Sequence, residues 1–454
     1  MNPQDIPPLT RRKFIKTASL TALAGSIPTL LTRAAPASTY RNLVPPNRPV
    51  RVAAIAAGGR GGSNVRGCAA AGAEIVALCD VDYARASTIF QSFPKAARYR
   101  DFRQMFIEMA DQIDAVTIST PDHMHFTPAM MAIEHGKHVY VEKPLVHTIG
   151  EVRALKAAAA RAGVVTQMGN QGHANDGTRQ LKEWIEAGVI GQVREVHTWT
   201  NRPIWPQGVP VPEPDPAGPP PTMDWNLWLG VAPVRGYNFN IYNRYAWRAW
   251  WDYGCGALGD MGCHLMDGPF WALNLTGPVK VSAVHEANSE VCAPKASVVT
   301  YAFPARGKLA PLKYVWYDGD KTPPLPPELG RDAQLPPGGS LYYGDEGVIF
   351  TEGDYGSNFR LVPEARMRAF RDRPPARIPR VPGANQYLEW LTGCQGGPAP
   401  GSNIVDYSAD LTEFVLLGNL AIRLGGTIDW DPATCSCVGR PEAERLIHKQ
   451  YRTY

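Results

Sequence analysis

Val50-Arg51-Val52-Ala53-Ala54-Ile55-Ala56-Ala57-Gly58-Gly59-Arg60-Gly61 is the stretch whose reading decides the fold. Val50–Ala57 is an apolar run of strand length, and a helical pattern follows from about Gly62 to Ala71. A second run, Glu74–Asp80, a helix from Ala84 and a third run, Asp114–Ser119, complete a β-α-β-α-β order. That order predicts an α/β protein with a doubly wound parallel sheet. The turn matches G-x-G-x-x-G, with Ala56 in place of the first glycine. Backbone N–H groups at the start of the helix would face a pyrophosphate, and Gly58, Gly59, Arg60 and Gly61 are the residues of that cradle. Asp80 ends the second run 22 residues after Gly58. A carboxylate there accepts hydrogen bonds from a ribose diol and repels a 2′-phosphate, so NAD is expected as cofactor and NADP is disfavoured.

Two further segments lie where such sheets bind ligands, at the carboxyl ends of strands. Thr120-Pro121-Asp122-His123-Met124-His125 follows the strand Ala115–Ser119, and Lys137–Val141 runs into Glu142-Lys143-Pro144. Paired histidines invite a metal reading, but no third ligand stands at a recognisable spacing, so no metal is expected. An ammonium at Lys143 is suited to hydrogen-bond an alcohol and stabilise alkoxide character as a hydride leaves. Taken alone, Lys143 reads better as an ordinary surface charge. The cofactor set is completed by Thr120, Pro121, His125, Glu142, Lys143 and Asn170.

These motifs, in this order, resemble the glucose-fructose oxidoreductase, inositol dehydrogenase and rhizopine-catabolism (Gfo/Idh/MocA) family, and Gly259-Asp260-Met261-Gly262-Cys263-His264-Leu265-Met266-Asp267 is similar to that family's G-D-x-G-x-H-x-x-D helix. The resemblance implies an N-terminal Rossmann domain joined to a C-terminal α/β domain whose open, mostly antiparallel sheet carries the substrate pocket and often an oligomer interface. It implies Lys143, Asp260 and His264 as the catalytic set, a homo-oligomer, and a Lys143-Pro144 bond that is a candidate for cis. The spacing adds an independent expectation: Asp260, His264 and Asp267 fall at i, i+4 and i+7 on one helix face, with a carboxylate placed to orient His264 and hold up its pKa. The expected division is an NAD-binding domain over 48–172 and a substrate domain over 173–454.

The candidate pocket residues are polar or flat. Gln171 and His173 lie in a glycine-rich turn after the strand at Thr166, and Arg202 and Trp205 open a proline-dense loop that predicts a stiff irregular excursion. Trp247, Arg248 and Tyr253 belong to an aromatic-dense stretch between Tyr237 and Tyr253. Rings beside hydrogen-bonding groups suit a carbohydrate; a buried aromatic core or a subunit interface accounts for the same composition.

The 454 residues, 44% apolar and 19% charged, predict two folded domains, and 42 prolines with 43 glycines predict long loops. The formal charge of +4 is matched by residues 1–37, which carry Arg11, Arg12, Lys13, Lys16 and Arg33 against Asp5. A neutral body excludes an electrostatic footprint for nucleic acid or an anionic membrane. The leader itself, with Arg11-Arg12-Lys13-Phe14, a modestly apolar core and Ala35-Pro36-Ala37, resembles a twin-arginine signal peptide, so a periplasmic or otherwise exported protein is expected. Its apolar part is short for a spanning helix, so no stable membrane insertion is expected after cleavage. Eight cysteines lack regular spacing and read as core or free thiols.

Together these point to an NAD-dependent oxidoreductase acting on a carbinol of a sugar or glycoside, with a tightly held cofactor. A redox-neutral, NAD-dependent glycoside hydrolase begins with the same hydride step, and the two-carboxylate glycosidase pair is not discernible. A non-catalytic sugar-binding protein on the same scaffold is the remaining reading.

Overall fold

The computed structural model describes residues 40–454 except 243–244 and 331–332. The leader expected over 1–37 lies outside the described residues.

The first sheet has six parallel strands, β1 (Arg51–Ile55), β2 (Glu74–Cys79), β3 (Ala97–Tyr99), β4 (Ala115–Ile118), β5 (His138–Val141) and β6 (Thr166–Met168). They lie in the order β3-β2-β1-β4-β5-β6, and all pairs are parallel, the parallel sheet that the alternation of apolar runs and helical stretches predicted. The order reverses at β1, so the crevice beside β1 and β4 is the topological switch point. Helix α1 (Arg60–Ala70) begins two residues before the predicted start, because the glycine turn winds directly into it. Ala56 adopts the left-handed region at φ 62, where the motif normally carries glycine. Gly61 permits the closest approach: a Cβ there would stand 1.7 Å from the Ala56 carbonyl oxygen.

The second sheet has nine strands in the order β13-β12-β11-β7-β10-β9-β8-β14-β15. They are β7 (Val193–Thr200), β8 (Lys280–Glu286), β9 (Ala296–Phe303), β10 (Leu312–Asp318), β11 (Gly338–Gly344), β12 (Gly347–Glu352), β13 (Asn358–Val362), β14 (Gly426–Asp431) and β15 (Ser436–Cys437). β7 and β10 pair in parallel and every other neighbouring pair is antiparallel. Helices α2 (Gly256–Leu265) and α3 (Ala409–Leu424) pack together: α2 is buried along its whole length, and a Cβ at Gly262 would meet Val415 at 2.9 Å. Phe414 on α3 packs its ring against Tyr301 of β9 and Tyr314 of β10. A helix without a polar face has no stable place at a surface, so α2 is sandwiched in the core, where its Asp260 and His264 face their partners out of water.

The helix over Gln386–Cys394 lies within the 173–454 stretch expected to form the second domain, yet it packs on the first. Trp390, Leu391 and Cys394 are buried with Val52, Ala115, Tyr140 and Val165 of the first sheet, and the Tyr387 hydroxyl donates to Asn64 Oδ1 at 2.8 Å. Sequence order placed this helix late, but its apolar stripe finds cover on the parallel sheet. All eight cysteines are free thiols, and seven of them are buried.

The connection from β7 to α2, residues 201–255, is the irregular excursion that its prolines predicted, with short helices at Trp225–Leu229 and Phe239–Tyr242. It returns to the first domain. Tyr83 N–H donates to Thr222 O at 3.1 Å, Asp224 N–H to Val81 O at 2.8 Å, and the Arg100 guanidinium to Thr222 O at 2.8 Å. His123 N–H donates to Tyr253 O at 3.2 Å. The excursion thus touches the chain just beyond β2 and just beyond β4.

Gly61→Ala tests the tightest contact at the switch point. The added methyl has no room against the Ala56 carbonyl, and a loss of about 2–3 kcal/mol in urea unfolding is expected for this overpacked backbone contact.

Candidate active site

The carboxyl ends of β4, β5 and β6 and the helix α2 bring distant side chains together. Lys143, just past β5, donates from Nζ to Asp260 Oδ1 at 2.7 Å and to the Asp260 carbonyl at 2.7 Å. Arg248, from the excursion, donates from Nε to the same Asp260 Oδ1 at 2.8 Å. Burial pushes the Asp260 carboxyl up, but the Lys143 and Arg248 cations overcome it and hold the group well below the usual carboxylate range. The Lys143-Pro144 peptide is cis.

His264 lies one turn beyond Asp260, but the carboxylate's upward pull on its pKa is outweighed. Burial drives the imidazole well below its ordinary value, and the Lys143 cation adds to the shift. Its Nδ1 is buried without a hydrogen-bond partner among the described residues. Asp260 lowers its charge energy on Lys143 and Arg248, so the imidazole is neutral near pH 7. The expected shared face is corrected as well. Helix α2 ends at Leu265, and Asp267 opens the next helix, Asp267–Ala272. Asp267 turns to His173, whose Nδ1 stands 2.9 Å from its Oδ1, and it accepts the Tyr407 hydroxyl.

The nucleotide loop is held by its own acid. Asp80 accepts from Gly58 N–H at 2.8 Å and from Asp82 N–H at 2.9 Å. Burial raises its pKa to about 6, against those two N–H bonds. Arg60 and Glu142 pair at 2.8 Å, and Asn64 donates to the same carboxylate oxygen at 2.9 Å. Their charges therefore neutralise one another, tying the start of α1 to the end of β5, instead of leaving a free cation for a phosphate. His125 is also a brace. Its nitrogens lie 2.8 Å from the carbonyls of Pro144 and Thr120, so no ring nitrogen remains for a nucleotide. His123 is buried, with its pKa lowered to about 3 by burial, and its nitrogens face the carbonyls of Tyr253 and Trp228.

Whether a dinucleotide fits here is decided by the polar atoms left over. Thr120 Oγ1, Asn170 Nδ2 and His264 Nδ1 are buried and unpartnered among the described residues. An orphaned buried donor costs roughly 1–3 kcal/mol unless something meets it. They lie beyond β4, beyond β6 and on α2, next to a glycine loop opening a helix and a carboxylate at the end of β2. The residues fit: the turn at Gly58–Gly61, Asp80, Pro121, Thr120 and Asn170 would hold the cofactor.

Of the pocket residues expected from the sequence, Arg248 lies with the ion cluster, its guanidinium 4.2 Å from the Trp247 ring centre and 5.9 Å from that of Trp205. Arg202 pairs with Asp354 at 3.4 Å. Gln171 opens a short turn over Gln171–Ala174. His173 is buried between Trp271 and Tyr407, centroids 4.3 and 4.5 Å away. Tyr253 is a correction. It is buried among Trp228, Tyr242 and His123, so it belongs to the excursion's own core and has no face for a substrate. Asp122 was quoted in its motif without a role; its Oδ2 accepts Cys255 N–H at 3.1 Å and so anchors the residue that leads into α2. Tyr355 was missed altogether. Its ring centre lies 5.1 Å from that of His264, and its only signal in the sequence is a turn flanked by glycines.

Fold and site define a two-domain α/β protein with a dinucleotide crevice at the switch point of its parallel sheet. A family model described as an oxidoreductase family with an NAD-binding Rossmann fold matches residues 50–170, and its companion, described as the C-terminal alpha/beta domain, matches 178–304. The chain belongs to this Gfo/Idh/MocA oxidoreductase family and carries its NAD-binding domain. It is 35% identical over 170 residues to a glycosyl hydrolase family 109 protein of Shewanella pealeana, covering 34% of this chain and 37% of that one. It is 33% identical over 161 residues to inositol 2-dehydrogenase 3 of Saccharopolyspora erythraea (35% and 47%) and 30% identical over 165 residues to D-glucoside 3-dehydrogenase of Escherichia coli (36% and 45%). The chain thus spans less than half the length of these curated relatives. Among solved structures, the WlbA dehydrogenase of Bordetella pertussis, in complex with NADH and UDP-GlcNAcA, shares the fold. Its TM-score is 0.59 at 17% identity, over 85% of this chain and 99% of that one. An inositol dehydrogenase homolog of Azotobacter vinelandii with NADH and myo-inositol gives 0.57 at 16% identity, over 86% and 100%.

Asp260→Ala leaves two cations without their buried counterion, and a loss of about 3–5 kcal/mol is expected in urea unfolding at pH 7. A depressed acid stabilises the fold fully above its ordinary value of 3.8, and that contribution is lost as pH falls further. The gap between wild type and variant should therefore narrow below about pH 4.

Proposed function

We propose that this protein oxidises a ring carbinol of a sugar or glycoside and keeps its NAD bound between turnovers. The observation that carries this reading is the meeting of an ammonium, its carboxylate and a neutral imidazole beside unpartnered donors, at the carboxyl edge of an NAD-binding sheet. NAD bound in that crevice supplies the hydride acceptor. Lys143 has two N–H bonds on Asp260, and its third can donate to the carbinol oxygen and stabilise negative charge there. His264, neutral at pH 7, accepts the hydroxyl proton. Its imidazolium is disfavoured beside Lys143, which favours prompt release of that proton.

Retention of the cofactor is supported by the excursion over 201–255, which bonds to the chain beyond β2 and β4 and reaches the partner of Lys143 through Arg248. It therefore runs along the mouth of the crevice. The leader's resemblance to a twin-arginine signal supports export, and an exported enzyme without soluble NADH recycling needs a cofactor regenerated in place. Among the described residues no helix is long and apolar enough to cross a membrane. A redox-neutral glycoside hydrolase is the second reading. The likeness to glycosyl hydrolase family 109 proteins favours it, and it shares every residue assigned above up to the hydride step.

The deciding experiment incubates purified protein with methyl and nitrophenyl glycosides and no added NAD. Stoichiometric NADH and a keto-sugar support the dehydrogenase; many turnovers of free sugar support the hydrolase; protein that neither contains nor binds NAD overturns both. Lys143→Ala should lower kcat/KM by about 100-fold or more in protein that still folds, because Arg248 keeps its bond to Asp260 while the lost ammonium costs some melting temperature. Asp80 gives a pH signature. Its carboxyl titrates near 6, and a ribose diol donates to the ionised form, so NAD affinity should fall by up to about tenfold per pH unit below 6. NADH fluorescence titration measures this, and Asp80→Asn should flatten the profile.

A further inference from the structure

Tyr355 stands at the tip of the hairpin joining β12 to β13, in Gly353-Asp354-Tyr355-Gly356-Ser357. Gly353 and Gly356 take positive φ of 80 and 58, with open space where a Cβ would lie. The backbone of this tip is seated firmly. A Cβ at Gly172 would stand 3.0 Å from Tyr355 O, and one at Gly177 would stand 1.6 Å from Ser357 O. Asp354 adds the ion pair with Arg202. The ring is treated differently. The residue as a whole is 40% exposed, and its ring meets that of His264 edge-to-face, with planes at 88°.

Tyr355 keeps part of its surface open while its edge-to-face contact seats the ring on His264. The loop that carries it is held by backbone contacts and one ion pair. The ring itself rests against the imidazole that the proposed function makes the proton acceptor. A pyranose or cyclitol presents a face of C–H groups, and a fixed ring beside the proton acceptor offers that face a surface to stack on. We propose that Tyr355 is this platform, a specificity-determining residue that selects a cyclic polyol or pyranoside and sets its ring beside His264. The proposal rests on the carbohydrate reading above.

The test uses the full chain loaded with NAD, with methyl β-glucoside and myo-inositol as probes. Tyr355→Ala should raise KM by about tenfold or more for a probe that wild type uses, with kcat changed less than KM and with NADH affinity and melting temperature unchanged. Tyr355→Phe, which keeps the ring and removes the hydroxyl, should stay within about twofold of wild type. A KM unchanged in the alanine variant overturns the proposal. So does a phenylalanine variant as impaired as alanine, which would assign the work to the hydroxyl, or a parallel loss of NADH affinity and stability, which would make the role structural. If wild type neither oxidises nor, by saturation-transfer NMR, binds either probe, the carbohydrate reading falls and this assignment with it.

Discussion

The bond between the Lys143 ammonium and the Asp260 carboxylate is the contact on which the site depends. It joins the end of a parallel strand in one domain to a buried helix in the other, across 117 residues of sequence. Two opposite charges at 2.7 Å, largely withdrawn from water, attract far more strongly than a surface pair. Neither is tolerable there alone, because each has lost its hydration. Docking of the two domains is therefore tied to correct assembly of the site. Arg248 extends the same constraint to the excursion, since its guanidinium shares the oxygen that Lys143 uses.

This cluster also decides the charge state of its neighbour. Asp260 carries two cations and stays ionised, while His264, buried next to Lys143, stays neutral. The division matters for the proposed chemistry, which needs a permanent positive charge for a developing alkoxide and an uncharged ring for a proton. The other imidazoles of the site are employed in building it. His125 bridges the loops after β4 and β5, and His173 is bonded to Asp267 between two aromatic rings.

The glycine loop, the acid ending β2 and the alternation of strands and helices were legible because each is a local matter, written within some 30 residues by apolar runs and turn formers. The residues Lys143, Asp260 and His264 were legible as a set through family resemblance and spacing. What they do to each other was not. Spacing on a helix suggested that Asp260 serves His264, whereas the tertiary fold gives that carboxylate to cations from two other segments. Asp267 was assigned to the same face, but the helix stops two residues short of it. The aromatic stretch before α2 fitted both a pocket and a core; packing divided it, burying Tyr253 and leaving Arg248 on Trp247 beside the ion cluster.

The sequence by itself determined the class of fold, the dinucleotide turn and the chemical types of the side chains gathered at the candidate site, because hydrophobic period, glycine placement and residue identity act over short range. The tertiary structure alone decided which charges are paired, which imidazole is neutral and which ring stands beside it. Those depend on burial and on distances between segments far apart in the chain, and a single turn at Gly353–Gly356 is enough to bring a tyrosine to a histidine some 90 residues earlier.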